Sequence, residues 1–572
     1  MHARRSSPLV ALVLLALSCA HREPAPPGGA PSRGAQGAPA RAGDGVLVVL
    51  GGAIYTMDPA HPRAEVAVAE HGRFTCVGPR TACVAPEGAR VIDLRGGSAS
   101  PGLADAHGHV VGYGRALREV SLVGCVSEEE CVARLAERAR VTPPGTWIEG
   151  RGWDQTRWAG SKFPGLAALS RAVPDHPVLA TRVDGHAAWV NARALAAAGV
   201  DRATADPPGG KIAHDGAGAP TGLLVDNAQR LVASRVPPLD ARGVREAILS
   251  AAARLVAVGI TSVHDAGVDG RTLEVYRALA ASDALPLRIY AMIDGQQPAD
   301  ALRADMKRWK ETPEVGRLTV RSVKLYADGA LGSRGAWMKA PYADDAANVG
   351  LTVTEPGELR TRILDVSRAG FQPCVHAIGD RACKETLEDF VLASEVTPGL
   401  RPRVEHLQVL DPADLPLLAR AGAIASMQPT HATSDGAWAE ARLGHGTARQ
   451  RGAYAWRQVL DAHVPLACGS DFPVEDIDPR AGIFSAESRR WPGAPEAGWM
   501  PEQRLTREEA VRCFTAGAAY AEHAEARRGR IAVGYDADLT AFAGDLFAVP
   551  TDAIPHLEVT ATVVGGRIEH AL

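Results

Sequence analysis

The hydrophobic residues between about 101 and 521 follow two spacings that alternate along the chain. Short unbroken apolar runs, such as 260–263 and 287–292, are typical of buried parallel strands. Between such runs, apolar residues recur every three to four positions, as in 241–258 and 300–310, which is typical of amphipathic helices. The other strand-like runs are 178–181, 320–325, 372–375, 403–405, 423–427 and 466–468, and the other helices are 355–369 and 412–421.

This alternation predicts an α/β fold, a (β/α)8 (TIM) barrel with insertions that spans residues 101–521. A doubly wound open sheet is the competing arrangement. No Gly-x-Gly-x-x-Gly segment follows a strand-like run, and that segment is the usual signature of a doubly wound dinucleotide-binding sheet. The barrel is therefore the favoured prediction.

Short strand-like segments of a different kind lie at both ends of this region. Residues 46–49, 53–56, 64–69 and 74–77 alternate as strands and are separated by glycine turns, and the far end repeats the pattern at 537–542 and 559–564. We expect these segments to meet in one small β-sandwich domain, formed by residues 45–100 together with 522–572, beside the barrel.

The first residues have the pattern of an export signal. Arg4 and Arg5 precede the short apolar run 9–17, and Ser18-Cys19 follows it. This predicts a signal peptide at residues 1–19 and a disordered linker at 20–44. Cys19 resembles a lipoprotein cleavage site, although Ala16 stands where the usual residue is Leu. We therefore expect an exported protein: a periplasmic or outer-membrane-associated lipoprotein with a lipid anchor, or a secreted protein.

Composition and charge exclude two classes of protein. Hydrophobic residues make up 46% and charged residues 22% of the 572 residues, which are ordinary globular values, so wholesale disorder is excluded. The formal net charge is −4, from 62 basic and 66 acidic residues. This balance gives no sign of a nucleic-acid partner or of a polybasic contact with a membrane.

Eight cysteines remain after Cys19. In an oxidising compartment, Cys76 with Cys83 and Cys125 with Cys131 are close enough along the chain to pair. The other four lie in apolar contexts and are expected to be small core residues: Cys374, Cys383, Cys468 and Cys513. Buried free thiols are the alternative for all eight, and no pair has the Cys-x-x-Cys spacing of a thiolate zinc site.

Two histidines mark the end of the first predicted barrel strand. His107 and His109 follow the apolar segment Pro101-Gly102-Leu103-Ala104 and are separated by a glycine. Residues i and i+2 of an extended segment point to the same side, so both imidazoles can reach one metal ion. The apolar lead-in and the glycines favour a pair of metal ligands over incidental surface histidines.

Further polar residues end other apolar strands. Lys324 lies inside an apolar run, where a buried ammonium is costly without a partner or a chemical change; an ion pair with Asp328 is the simpler explanation. His376, His406 and Asp471 each follow a successive strand-like run. The carboxyl ends of the strands are where barrels build their active sites, so these residues are expected to meet.

At these positions the sequence resembles a known family. The motifs are Pro-Gly-Leu-x-Asp-x-His-x-His, Lys-x-x-x-Asp-Gly-x-Leu-Gly-Ser-Arg, His-Ala-Ile-Gly-Asp, Glu-His and Gly-Ser-Asp-x-Pro, with further agreement at 152–154, 184–187 and 454–457. From about residue 45 to the end, the chain is similar to the amidohydrolase superfamily. The resemblance is to the amidohydrolase-3 branch of YtcJ-like proteins, which includes N-substituted formamide deformylases.

The resemblance implies one or two divalent metal ions. The residues that would hold them are His107, His109, Lys324, His376, His406 and Asp471. Within this set, His107, His109 and Asp471 would bind the more buried ion, and His376 and His406 the second. Lys324 would bridge the two as a carboxylated lysine, or remain unmodified beside a single ion. Zinc suits this set best, with manganese, iron or cobalt as alternatives.

The resemblance also implies a mechanism. A metal-activated hydroxide would attack a carbonyl carbon, and Asp471 would act as the catalytic residue that accepts the water proton and passes it to the leaving nitrogen. The candidates for substrate contact are Trp153, His186, Asp328, Arg334 and His431. Arg334 would clamp a substrate carboxylate, or would pair with Asp328 to hold its loop. His264 and Asp265 are expected to support the site from behind.

We therefore predict a metal-dependent hydrolase that cleaves a non-peptide C–N bond of a small-molecule substrate: an amide, a formamide or a cyclic amide. The alternatives are an ester, a dipeptide or an isomerisable substrate at the same metal centre, or a lipoprotein that binds a solute without catalysis. A homo-oligomer is compatible with the sequence.

Overall fold

Eight parallel strands form a barrel at the centre of the chain. In the computed structural model, which describes residues 45–572, they follow one another in chain order around the barrel. The strands, labelled β1 to β8, are Leu103–Gly108, Ile260–Val268, Arg288–Asp294, Leu318–Tyr326, Gln372–Ala377, Arg403–His406, Ile424–Met427 and Leu466–Cys468. A parallel bridge from Gly108 to Phe472 links β1 to the loop after β8. The predicted (β/α)8 barrel is confirmed, whereas the predicted signal peptide (1–19) and linker (20–44) lie outside the described residues.

Helices connect and flank the strands of this barrel. They are Val110–Ala116, Ala241–Ala257, Gly270–Ala281, Ala299–Glu311, Pro356–Ala369, Asp380–Val396, Leu415–Ala421, Pro429–Leu443, Ala448–Arg451, Trp456–Asp461, Pro479–Ser488, Arg507–Arg512 and Ala518–Ala521. Local chemistry sets their ends. The Asp240 side chain accepts a hydrogen bond of 2.7 Å from the backbone N–H of Gly243 and caps the N-terminus of helix Ala241–Ala257. Gly370, in the left-handed region, ends Pro356–Ala369. Within residues 45–572, no helix has the length and apolar character needed to cross a membrane.

A second sheet is inserted between β1 and β2. Its strands, in spatial order, are Gly210–His214, Pro220–Asp226, Ala187–Val190, Val178–Arg182, Ile148–Trp153 and Val120–Ser121. The helices Glu128–Arg140, Leu166–Ala172, Ala192–Ala198 and Arg230–Ala233 accompany it. The run 178–181, predicted as a barrel strand, belongs to this inserted sheet. That prediction was wrong because helices of the insertion bury the strand, which gives it the same continuous apolar pattern as a barrel strand.

Segments from both ends of the described chain form two further sheets. One has the order Arg73–Gly78, Val66–Glu70, Leu47–Leu50, Arg90–Asp93, and the other Arg567–Ala571, Val559–Val564, Leu539–Phe542, Ser98–Pro101, Ala53–Tyr55, Arg63–Ala64. Val49 from the first sheet and Ile54, Leu539 and Val563 from the second share one buried apolar cluster. The two sheets therefore share one core, to which both ends of the described chain contribute.

The cysteines pair differently from the prediction at two places. Cys76 and Cys83 form the expected disulfide, whereas Cys125 and Cys131 are buried free thiols. Cys468 and Cys513, predicted as core thiols, are joined, with Cα atoms 5.1 Å apart. The two cysteines are 45 residues apart in the sequence, so their spacing did not predict this bond. They meet because the π-helical turn Cys513–Gly517 packs on β8. The remaining two, Cys374 and Cys383, are free and buried as expected.

Candidate metal centre

The six predicted metal ligands lie together at the carboxyl end of the barrel. They project from β1 (His107), the residue after β1 (His109), β4 (Lys324), β5 (His376), β6 (His406) and the loop after β8 (Asp471). Ligand atoms of His107, His406 and Asp471 all lie within 4.8 Å of one another, and the three side chains are buried. One ion can contact all three with modest adjustment, since nitrogen and carboxylate ligands bind zinc at about 2.0–2.2 Å.

Four imidazole rings lie around the carboxylate of Asp471. Its Oδ1 lies 3.1 Å from Nε2 of His109 and 3.6 Å from Nε2 of His107. Its Oδ2 lies 4.0 Å from Nδ1 of His406 and 3.8 Å from Nε2 of His431. Burial opposes ionisation, but the close contact with His109 and the other neighbouring imidazoles hold the pKa of Asp471 well below its ordinary value. The side chain is therefore a carboxylate, available as a ligand or as a proton acceptor.

Lys324 is buried beside the same group, with 1% of its surface exposed. Its Nζ lies 3.2 Å from Nε2 of His107. Burial lowers the pKa of Lys324 against the opposing effect of the carboxylates of Glu405 and Asp471. Asp328 does not pair with it, because the Asp328 carboxylate is engaged by backbone N–H groups instead. The simpler explanation for this lysine, an ion pair with Asp328, is therefore wrong.

Hydrogen bonds at Nδ1 orient the imidazole rings of His107 and His109. Nδ1 of His107 lies 2.5 Å from the carboxylate of Glu405, and Nδ1 of His109 lies 2.9 Å from the carbonyl oxygen of Ala266. An acceptor at Nδ1 places the ring proton there and leaves the Nε2 lone pair free for a metal. Burial lowers the pKa of His107 to about 4 and that of His406 well below the ordinary value, so both rings are neutral.

His376 completes the cluster on the other side of His406. The centres of these two rings are 4.7 Å apart. Burial also lowers the pKa of His376 well below its ordinary value, and its Nε2 is buried without a hydrogen-bond partner among the described residues. A buried nitrogen with no partner is costly unless something else binds it. Neutral imidazoles, a carboxylate and an unpartnered nitrogen together fit a divalent ion that prefers nitrogen and oxygen ligands.

A cavity of about 1230 Å³ opens above these residues, bordered by the barrel loops and the inserted sheet. His186 and His431, two of the predicted substrate contacts, line it. His186 lies 2.6 Å from Asp226, and its ring centre is 5.4 Å from that of His376. Burial opposes protonation of His186, but the hydrogen bond and the charge of Asp226 raise its pKa to about 9. His186 is therefore a cation at neutral pH.

Comparison with known proteins identifies the family. The model of the amidohydrolase family matches residues 90–570. The chain belongs to the amidohydrolase family. It is 33% identical over 537 residues to YtcJ of Bacillus subtilis (strain 168), a protein named as an amidohydrolase, with 91% of this chain and 98% of YtcJ covered. It is 25% identical over 545 residues to the N-substituted formamide deformylase of Arthrobacter pascens, with 92% and 98% covered. The amidohydrolase-3 branch is thereby confirmed.

A solved structure agrees with this assignment. An uncharacterized metal-dependent hydrolase from Pyrococcus horikoshii has a TM-score of 0.72 and 25% sequence identity with this chain, and the likeness covers 89% of this chain and 99% of that one. Family, fold and the cluster of ligand residues together show that this amidohydrolase is a metal-dependent hydrolase of the family.

Three predicted substrate contacts do not reach the cavity of this amidohydrolase. Trp153 is fully buried in the core of the inserted sheet, where its Nε1–H donates to the carbonyl of Ala180 at 2.7 Å. Asp328 is buried and accepts hydrogen bonds of 2.8–3.0 Å from the backbone N–H groups of Trp337, Ile378 and Gly379, so it orders the loops after β4 and β5. Arg334 pairs with Asp344 at 2.9 Å, away from the cavity.

Sequence reasoning missed a buried ion pair that lies behind the metal cluster. In β6, Arg403 and Glu405 are both fully buried and form an ion pair at 2.8 Å. Arg403 also donates to Nδ1 of His264 at 2.8 Å and to the carbonyl of Ala106 at 2.6 Å. His264 is thus tied to the site, as expected for a supporting residue. The sequence does contain a sign of this pair. Arg403 and Glu405 carry opposite charges two positions apart in an apolar strand, and this spacing puts both side chains on one face of the strand.

Replacing Glu405 with Gln is expected to weaken metal affinity by about 10- to 100-fold, the usual effect of losing such a supporting carboxylate. The substitution removes the charge that accepts the Nδ1–H of His107. Competition against a chromophoric chelator measures the affinity, with thermal unfolding as a check on folding. Glu508→Gln, which changes an exposed carboxylate paired with Arg512, is the matched control. Equal affinities in the two variants would contradict this role for Glu405.

Proposed function

We propose that this amidohydrolase cleaves a non-peptide C–N bond in a small molecule: an amide, a formamide or a cyclic amide. The observation that carries the proposal is the placement of Asp471, a buried carboxylate among neutral imidazoles on the floor of a large cavity. Similarity to a relative named for deformylation of N-substituted formamides supports this bond class. An ionised carboxylate beside metal-ligand nitrogens is the group needed to move a proton from water to a leaving nitrogen.

The proposed cofactor is one or two divalent ions, with zinc preferred. His107, His109 and Asp471 would hold the more buried ion, and His376 and His406 the second. Lys324 would lie between them as a carbamate, or unmodified if a single ion binds. A bound divalent ion supplies a Lewis acid that polarises a substrate carbonyl and makes a water molecule a stronger acid.

The side chains of the cavity supply the other steps. Asp471 accepts the proton of the attacking water and later delivers it to the departing nitrogen. Oδ1 of Asp471 lies 3.1 Å from Nε2 of His109, and Oδ2 faces Nε2 of His431 at 3.8 Å. His431 accepts a hydrogen bond of 3.0 Å from Gln408 at Nδ1, so its Nε2 carries the ring proton. That N–H has no partner among the described residues and is placed to donate to a substrate oxygen.

We also propose that the protein is exported, as its first residues predict. The disulfides Cys76–Cys83 and Cys468–Cys513 support this proposal, because disulfides persist mainly in oxidising compartments. Whether Cys19 carries a lipid is tested by the membrane fraction of a Cys19→Ala variant.

The test of the proposed function is a substrate panel with the full-length, metal-loaded protein. The panel contains N-alkyl formamides, N-alkyl acetamides and cyclic imides, with esters and dipeptides as competing classes. Released amine or carboxylate is measured by mass spectrometry. We expect turnover of at least one of the C–N classes. Turnover of esters or dipeptides alone would contradict the proposed bond class, and tight binding without turnover of any compound would favour a solute-binding protein.

A further inference from the structure

Arg151 lies on the wall of the cavity that the inserted sheet provides. It is near the carboxyl end of the strand Ile148–Trp153. The pairing of this strand with Val178–Arg182 shifts register directly after Arg151, at Gly152, whose φ is 102°. Such a bulge changes the face that the following side chain occupies. Arg151 therefore lines the cavity, although Trp153, two positions later, is buried in the core.

The guanidinium of Arg151 has few partners. Its Nη2 donates to the carbonyl of Val183 at 3.2 Å, and its Nε is buried without an acceptor. Among the described residues, no carboxylate oxygen lies within 4.0 Å of its nitrogens. Burial lowers the pKa of Arg151, against the effect of the more distant carboxylates of Glu119 and Asp471. Arg151 is partly buried, and a cation held away from water without a close counterion is costly and is usually retained for a reason.

The neighbouring charges on this wall already have partners. Arg182 pairs with Asp154 at 2.8 Å and with Asp184. His186 pairs with Asp226 at 2.6 Å. Arg182 and His186 thus hold the nearest contacts of these three carboxylates, and none of the three lies within 4.0 Å of a nitrogen of Arg151.

Arg151 also lies close to the reacting centre. A Cβ atom at Gly185 would lie 3.8 Å from Nη2 of Arg151, so the guanidinium is adjacent to this residue. The next residue, His186, has its ring centre 5.4 Å from that of His376. Arg151, Gly185, His186 and His376 therefore follow one another along the cavity, and a small substrate can span this path.

We infer that Arg151 binds a carboxylate of the substrate, and that the substrate class is an amide or formamide carrying a carboxylate a few bonds from the C–N bond. This inference rests on the proposed function. The planar fork of a guanidinium matches a carboxylate with two parallel hydrogen bonds. Gly185 leaves room for this contact, since any side chain there would approach the guanidinium and would have to adopt a φ of 76°.

The first experiment compares two compounds that differ in charge. N-formyl-β-alanine carries a carboxylate, and N-formylpropylamine replaces it with a methyl group. Formate release is measured for the wild type, Arg151→Met, Arg151→Lys and Arg157→Met. Arg157 is the matched control because it lines the same cavity, is 65% exposed and lies 3.6 Å from Asp154.

For the carboxylate compound, Arg151→Met is expected to lower kcat/KM by about 10- to 100-fold, mainly through KM, since charged hydrogen bonds are lost. For the neutral compound it should leave kcat/KM unchanged. Arg151→Lys should restore part of the loss, and Arg157→Met should affect neither compound. An equal loss for both compounds, or no loss for either, would overturn the inference.

A binding measurement separates this inference from the proposed function. Isothermal titration of N-formyl-β-alanine into the metal-loaded Asp471→Asn protein, with and without Arg151→Met, needs no turnover. Binding that Arg151→Met abolishes would support the carboxylate site even if the wild type hydrolysed neither compound, in which case the proposed function alone would fail. Binding that is absent, or unchanged by Arg151→Met, would overturn the carboxylate site.

Discussion

Replacing Asp471 with Asn is expected to lower kcat for amide hydrolysis by about 10²- to 10⁴-fold, the usual contribution of a positioned acid–base group. Asn keeps the size of the side chain and one oxygen, but it cannot accept and return a proton. Oδ1 of this buried carboxylate lies 3.1 Å from Nε2 of His109, so Asn at this position keeps a polar atom next to the imidazole. The measurement is steady-state kinetics on the substrate found in the panel, with the metal content of each sample determined.

The matched control for this variant is Asp476→Asn. Asp476 lines the same cavity from the same loop but is exposed, and its carboxylate accepts a hydrogen bond from the backbone N–H of Asp478. We expect near wild-type kcat for this control and similar unfolding temperatures for both variants. An Asp471→Asn protein that is folded, metal-loaded and nearly as active as the wild type would rule out Asp471 as the proton carrier.

Removing the metal is expected to abolish hydrolysis altogether. The proposed nucleophile is a water molecule whose acidity the bound ion would raise, and without the ion the ligand cluster has no Lewis acid to do so. Dialysis against dipicolinate should reduce kcat/KM to background, and stoichiometric Zn²⁺ should restore it.

Mg²⁺ serves as the control ion in the restoration, because it prefers oxygen ligands and is expected to be ineffective at a nitrogen-rich site. Full activity of a sample from which elemental analysis shows the metal to be gone would contradict a metal-dependent mechanism.

The barrel was predictable because its strands have a strong and repeated pattern. Ile289 to Ile293 and Leu466 to Cys468 are buried on both faces, so their sequences are hydrophobic throughout, and both lie in barrel strands. The inserted sheet was not predictable as a separate layer, because Val178–Arg182 has the same apolar pattern. The hydrophobic pattern of a strand shows whether the strand is buried. Only tertiary contacts determine which sheet it joins and which elements it packs against.

The site was predictable to the extent that motifs place residues at strand ends. His107, His376 and His406 meet as the order of the strands requires. The direction of a side chain was not predictable where the backbone departs from regular geometry. The register shift at Gly152 sends Trp153 into the core and Arg151 to the cavity, and alternation along a regular strand would have placed both on one face.

The most direct test of the account is the metal content of the purified, full-length protein, measured by elemental mass spectrometry on the wild type and on Lys324→Ala. We predict one to two equivalents of a zinc-like divalent metal in the wild type. A lower content in Lys324→Ala is expected if the lysine bridges two ions, because Nζ lies 3.2 Å from Nε2 of His107. A wild-type protein that holds essentially no metal, even after incubation with Zn²⁺, would contradict the central claim that these side chains form a metal centre.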